Sequence, residues 1–254
     1  MAEEKKYDYL EPIKISKDVH WVGFYEEDAN LHCNPYVLVD GDEAVIFDPG
    51  GIMHYPSVAS KVFSVVKPEM VKYIILHHQD PDLCGCVHML EDVIRNDSLK
   101  IVIHPRAKAF IRHYGINSEF YNINENKLAL RLKSGRTLKF ITTPFCHSPM
   151  SFATYDEKEK ILFSSDLFAA TSSDWNLFAQ DGYEEQMKDF HVSYMASTQH
   201  LRNIMEKFEK LDLKMILPQH GSIIKGEMMQ RCIKFLKQLQ CGIDVSAKEA
   251  ELYG

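Results

Sequence analysis

His78-Gln79-Asp80-Pro81-Asp82 sets three metal-binding side-chain types on alternate positions directly after the apolar run Tyr73 to Leu76. Alternate residues of an extended or tightly turned segment share a direction, so two or three of these groups can converge on a metal pair. The same residues are also good turn chemistry, and a histidine at a strand end is often an ordinary hydrogen-bonded side chain; alone, the motif supports either reading. Three further positions repeat the pattern. His147 follows TLKFITTPFC, Asp166 follows KILFSS and His220 follows KMILPQ, each a ligand-type residue where an apolar run stops. Singly each reads as a capping or satisfied polar residue. Together they supply three histidines and three aspartates from four strand ends, a nitrogen and oxygen set suited to two metal ions bridged by one carboxylate.

Elements that bring those ends together can be read from the apolar periodicity. Short β-branched and aromatic runs fill the first half, at HWVGF from His20, PYVLVDG from Pro35, EAVIFDPGG from Glu43, KYIILHH from Lys72 and KIVIHP from Lys100. Helical patterns cover residues 56 to 67, 85 to 95 and 106 to 114. Further strands are expected at LALRL from Leu128, TLKFITT from Thr137, SFATYD from Ser151, KILFSSD from Lys160 and KMILPQH from Lys214. One long amphipathic helix is expected over 185 to 210 and a last one near 226 to 240. Hairpins, then βα units, then more hairpins followed by helices predict a layered α/β architecture: two sheets packed face to face with helices outside. Polar residues at the strand ends then project into loops at one rim. With no repeat, low-complexity tract or Pro/Gly/Ser-rich linker, residues 1–254 are expected to form one domain.

The 254 residues carry 29 basic and 36 acidic side chains, a formal charge of −7, and 45% are hydrophobic, which excludes a disordered, collagenous or coiled-coil chain. Net acidity without a Lys/Arg-dense stripe argues against nucleic acid as the main partner. No apolar run approaches the roughly 18 residues of a membrane span, and the opening MAEEKKYDY is too polar for a secretory signal, so the cytoplasm is the expected compartment. The six cysteines then read as reduced thiols, and Cys84-Gly85-Cys86 as small buried residues, since one intervening residue is an unusual zinc spacing.

Taken together the motifs resemble the di-iron domain of flavodiiron proteins in the metallo-β-lactamase superfamily. HQDPDLCG is similar to their H-x-E-P-D-H-S-G, HSPMSFATY to H-W-P-D-S-M-F-T-Y, FSSDLFA to F-S-x-D-A-F-G, and PQHGSI to P-S-H-G-x-I. Eighteen residues lie between His147 and Asp166, as in that pattern, and weaker similarity extends the resemblance over residues 20 to 225. It implies an αββα four-layer sandwich, the metallo-β-lactamase fold. Carried over by position, it implies that His78, Asp80 and His147 hold one iron, that Asp82 and His220 hold the other, and that Asp166 bridges them. Tyr194, in HVSYMAS, resembles a tyrosine lying over the open face of the pair; its alternative is a core tyrosine on the buried face of the helix. Asp48, in FDPGG, resembles an aspartate that supports ligands from behind, or else simply forms an Asp-Pro-Gly turn.

Two departures from the pattern bear on function. Asp80 stands where the pattern has glutamate, and Leu83 where it has a second histidine, so the second iron is expected to keep open positions for a small ligand. An aspartate where zinc hydrolases of the superfamily present histidine enriches the site in hard oxygen donors, which favours iron over zinc. The resemblance then implies a stand-alone di-iron protein that binds dioxygen as a peroxo adduct, as an oxygen sensor or carrier, with no flavin expected in this chain. A ferrous pair holds two electrons, enough to take dioxygen to peroxide but not to water. A reductase of dioxygen or nitric oxide would therefore need a separate electron donor, and a sensor a signalling protein. A homodimer fits the resemblance. A binuclear zinc hydrolase is the alternative from another class.

Overall fold

A computed structural model describes residues 7–26, 30–172 and 175–245. The chain opens with β1 (Ile13–Lys14) and β2 (Val19–Trp21), makes a hairpin of β3 (Phe24–Glu26) and β4 (Leu31–Cys33), and continues through β5 (Tyr36–Asp40), β6 (Glu43–Phe47), β7 (Val71–Ile75), β8 (Lys100–Ile103) and β9 (Glu119–Asn122). Apart from the hairpin these form one sheet in the order β1-β2-β5-β6-β7-β8-β9, with β6 to β9 mutually parallel. A second sheet follows, ordered β10 (Ala129–Arg131), β11 (Thr137–Thr142), β12 (Phe152–Asp156), β13 (Ile161–Ser165), β14 (Met215–Pro218) and β15 (Ile224–Lys225), in which β13 and β14 are parallel.

Side-chain alternation sorts each strand between two apolar layers. Along β6, Ala44 and Ile46 pack with the outer cluster that holds Val58, Val62 and Leu90, whereas Val45 and Phe47 face the second sheet. Along β13, Ile161 and Phe163 face the first sheet and Leu162 packs outward with Leu201, Ile204 and Ile233. Helices α1 (Tyr55–Val65), α2 (Pro81–Cys84), α3 (Val87–Ile94) and α4 (Lys108–Ile111) belong to the first half; α5 (Tyr183–Gln186), α6 (Lys188–Tyr194), α7 (Thr198–Phe208) and α8 (Met228–Gln238) belong to the second. The result is the αββα four-layer sandwich. Among the described residues no helix is long and apolar enough to cross a membrane.

Several boundaries differ from the sequence reading, each for a physical reason. The expected helix 185 to 210 is the end of α5 followed by α6 and α7, and α6 and α7 part because the chain is extended at Met195 and Ser197, where Ala196 N–H donates to Phe145 C=O (3.1 Å) and Ile243 N–H to Ala196 C=O (3.1 Å). Long-range backbone pairing outweighs an unbroken amphipathic period there. The helix expected over 85 to 95 starts at Val87, after the separate turn of α2, and the region 106 to 114 is one α-turn flanked by 3-10 turns. Strand β9 was not anticipated; EFYN shows no clean alternation and joins as an edge partner of β8.

At the rim formed by the starts of β6 and β13, the fully buried side chain of Arg136 closes three turns. It donates to Asp156 through Nε (3.0 Å) and to Asp18 through Nη1 (2.7 Å), with Asp40 at 3.5 Å.

Candidate metal centre

Residues after the parallel strands converge at the opposite rim. His78 lies three residues beyond the last residue of β7, Asp166 directly after β13 and His220 two residues after β14, while the loop between β11 and β12 brings His147. The Asp166 carboxylate sits in the middle with its two oxygens facing different neighbours. Its Oδ2 is 2.7 Å from His147 Nε2 and 3.2 Å from His78 Nε2; its Oδ1 lies 3.7 Å from His220 Nε2. Asp80 Oδ2 approaches His78 Nε2 (3.4 Å) and His147 Nε2 (3.5 Å), and Asp82 Oδ2 approaches His220 Nε2 (3.1 Å). All six sequence-predicted positions therefore meet, as two groups sharing Asp166. Within them, His78, His147 and Asp166 offer ligand atoms that all lie within 4.8 Å of one another.

The donors are held from behind. His78 Nδ1 faces Ser165 Oγ (3.1 Å), and His220 Nδ1 faces the His32 carbonyl (3.2 Å) and Cys33 Sγ (3.7 Å), so both Nε2 atoms point inward. Gln79 Nε2 donates to Asp80 Oδ1 (2.7 Å) and accepts through Oε1 from Ser148 Oγ (2.7 Å), which leaves Asp80 Oδ2 to face the histidines. Asn34 fastens the end of β14, donating to the carbonyls of Pro218 (3.1 Å) and Gly221 (2.8 Å) while accepting from Trp21 Nε1 (2.8 Å). Asp48 does not reach a histidine of the cluster. It takes the backbone N–H of His77 (2.9 Å) and pairs with its Nδ1 (2.5 Å), fixing the residue before His78.

Do these residues fit a metal pair? Among the described residues, His78 Nε2 and Asp166 Oδ1 are buried with no hydrogen-bond partner, an arrangement that is costly unless something else occupies them. Burial alone would lower the pKa of His78, but Asp166 and Asp80 outweigh it and hold the imidazole well above its usual value. Burial would raise Asp166, yet His78, His147 and His220 hold it well below the usual carboxylate range. The cluster draws positive charge to its centre, and a cation bound by nitrogen and carboxylate donors satisfies the same demand. The residues fit.

Leu83 is fully buried in the apolar cluster with Phe24, Cys33 and Leu76, so its position contributes hydrocarbon and no donor. Cys84 and Cys86 are free and buried, as read from the sequence. Tyr194 is 58% exposed, which excludes the core alternative; its ring lies 5.7 Å from that of His147 and stacks on Phe190 at 4.7 Å. Phe190 in turn lies 6.2 Å from the His220 ring, so one turn of α6 lays an aromatic pair along both histidines. Sequence reasoning missed Phe190, although its spacing of four from Tyr194 is the available signal.

Two face-to-face sheets between helical layers, with a histidine and aspartate cluster on the rim, define a metallo-β-lactamase-fold protein with a candidate metal centre. Residues 31–221, more than half of the chain, match the family described as ODP family beta lactamase, and the chain belongs to that family. The fold is similar to the apo state of the chemotaxis sensor ODP from T. denticola, at 30% identity and a TM-score of 0.79 over 92% of this chain and 95% of that one. It is also similar to a structure of the peroxy diiron species of the chemotaxis sensor ODP, at 29% identity and a TM-score of 0.77 over 92% and 97%. A flavo-diiron protein of Clostridium acetobutylicum is 24% identical across 75% of this chain and 49% of its own length. The chain spans about half the length of the curated relatives it matches.

Proposed function

We propose that this chain is a non-haem di-iron protein that binds dioxygen, as an oxygen sensor or carrier, or as a reductase of dioxygen or nitric oxide fed by a separate electron donor. In this reading His78, Asp80 and His147 hold one iron, Asp82 and His220 the other, and Asp166 serves both. The observation that carries it is the division of Asp166, with Oδ2 toward His78 and His147 and Oδ1 toward His220. The oxygen-rich donor set supports iron, as does similarity to a sensor whose structure contains a peroxy diiron species. These residues would hold an iron pair, which in its ferrous form would supply two reducing equivalents to a diatomic ligand.

The chain's own residues prepare that site. Gln79 and Ser148 keep Asp80 turned inward, and His32 and Ser165 fix the rings of His220 and His78. Leu83 adds no further donor, and the Phe190–Tyr194 pair narrows the approach while placing a phenol beside His147. Dioxygen is the small ligand that fits this reading; an electron donor or a signalling protein in the cytoplasm is the implied partner.

Metal analysis after anaerobic purification tests the proposal. Close to two irons per chain are expected, and Asp166→Ala should lose both, because its removal uncouples the two ligand groups. Two zincs together with phosphodiesterase or thioester hydrolase activity would replace the iron reading with a hydrolase.

A further inference from the structure

The loops that carry Asp166 and His220 are joined by a residue belonging to neither. Tyr183, 2% exposed, donates its hydroxyl proton to the Phe168 carbonyl (2.9 Å) and accepts from the Ser222 N–H (2.9 Å). Phe168 is two residues beyond Asp166, and Ser222 is two beyond His220. The other side of the Phe168 residue is held as well: its N–H donates to His191 Nε2 (3.0 Å), and His191 Nδ1 donates to the Met187 carbonyl (2.7 Å), which fixes the ring as a neutral acceptor.

These contacts oppose a local tendency to relax. Ser165 and Phe168, flanking Asp166, both adopt left-handed backbone conformations (φ 55° and 68°), which non-glycine residues disfavour and keep only when their surroundings hold them. Gly221 shows how closely the tyrosine approaches. A Cβ at that position would lie 2.3 Å from Tyr183 Oη and 2.8 Å from Ala170 N, so only glycine can follow His220 while the hydroxyl sits there. Burial pushes the Tyr183 phenol up, so it stays protonated and able to donate.

We propose that Tyr183 and His191 are positioning residues that set the span between Asp166 and His220, and thereby the affinity of the metal pair, through the Phe168 N–H and C=O and the Ser222 N–H. The inference rests on the metal centre proposed above but not on dioxygen chemistry. Neither side chain touches a proposed ligand; both act by fixing the backbone on which ligands stand. The half that contains His220 depends most on this span, because His220 stands on the loop that Tyr183 ties to that of Asp166, whereas His78, Asp80 and His147 approach from other loops.

Cobalt(II) binding to the metal-free full chain, followed through the visible d–d bands and by competition with a chelator, tests this directly. Tyr183→Phe keeps the ring and removes the hydroxyl. It should weaken cobalt binding roughly 10-fold, the low end of the range for groups bonded directly to metal ligands because Tyr183 acts one step further out, with the larger loss on the second equivalent and altered bands. Tyr155→Phe is the control. It removes a hydroxyl donating to the Asp212 carbonyl (2.9 Å) in the same helix-facing cluster, and should lower thermal stability without changing cobalt affinity. His191→Leu should reproduce the loss seen with Tyr183→Phe, and His191→Gln, whose amide can both accept and donate, should recover most of it; this pair decides if Tyr183→Phe does not fold. Wild-type affinities and bands in Tyr183→Phe and His191→Leu would overturn the inference. A wild type that binds no pair of cobalt ions would instead remove the metal centre itself.

Discussion

Buried histidines in this protein answer to opposite surroundings. His78 has carboxylates at its Nε2 and is held in favour of its charged form, whereas the ring nitrogens of His191 meet the Met187 carbonyl and the Phe168 N–H, and burial outweighs that carbonyl and the more distant Asp166 to push its pKa down to about 4. Because the folded value for His191 lies below the unfolded value of roughly 6.5, the unfolded chain binds more protons between the two. The contribution of His191 is thus present above pH 6.5 and is lost as the pH falls toward 4, by up to roughly 3 kcal/mol at about 1.4 kcal/mol per pH unit. Urea unfolding of the metal-free wild type and of His191→Gln from pH 7.5 to 4.5 measures this. The wild type should lose stability more steeply, and parallel curves would show that the ring takes up a proton in place.

Helix α7 depends on the break that precedes it. Ser197 caps it by accepting the His200 N–H (3.4 Å) in an extended backbone conformation, so Ser197→Ala should cost about 1 kcal/mol in thermal or urea unfolding while leaving metal content unchanged. That cap was hidden inside the periodic run 185 to 210. The sequence carries hydrophobic period, which α6 and α7 both obey, but not the pairing of residues 196 and 197 with distant backbone that parts them. Strands were easier to read where alternation or an apolar run was complete, as in β6, β7 and β13, than at the β9 edge. The six ligand-type residues were legible because they gather in the turns after four such runs. The residues that orient them were not: Gln79 meets Ser148 across 69 positions, and Tyr183 meets Ser222 across 39, contacts to which no local pattern points.

Across the whole molecule the two rims are built on contrasting terms. At one, Arg136 is matched by Asp156, Asp18 and Asp40, and its charge is neutralised by the chain itself. At the other, His78 Nε2 and Asp166 Oδ1 are buried without a hydrogen-bond partner among the described residues, so the native state gains from a cation that seats between them. Metal removal should lower Tm, by an amount that grows with the free metal concentration used for reloading, and should open protease cleavage in the loops around His78, His147 and Asp166 before the turns around Arg136. Cleavage starting at the Arg136 turns would contradict that order. Arg136 also has a consequence for communication. A rim already locked by its own charges has little room to register events at the far edge of the sandwich, so whether the centre is filled is written on one face only. Any partner proposed to read the loaded state is therefore expected to contact that face rather than the rim closed by Arg136.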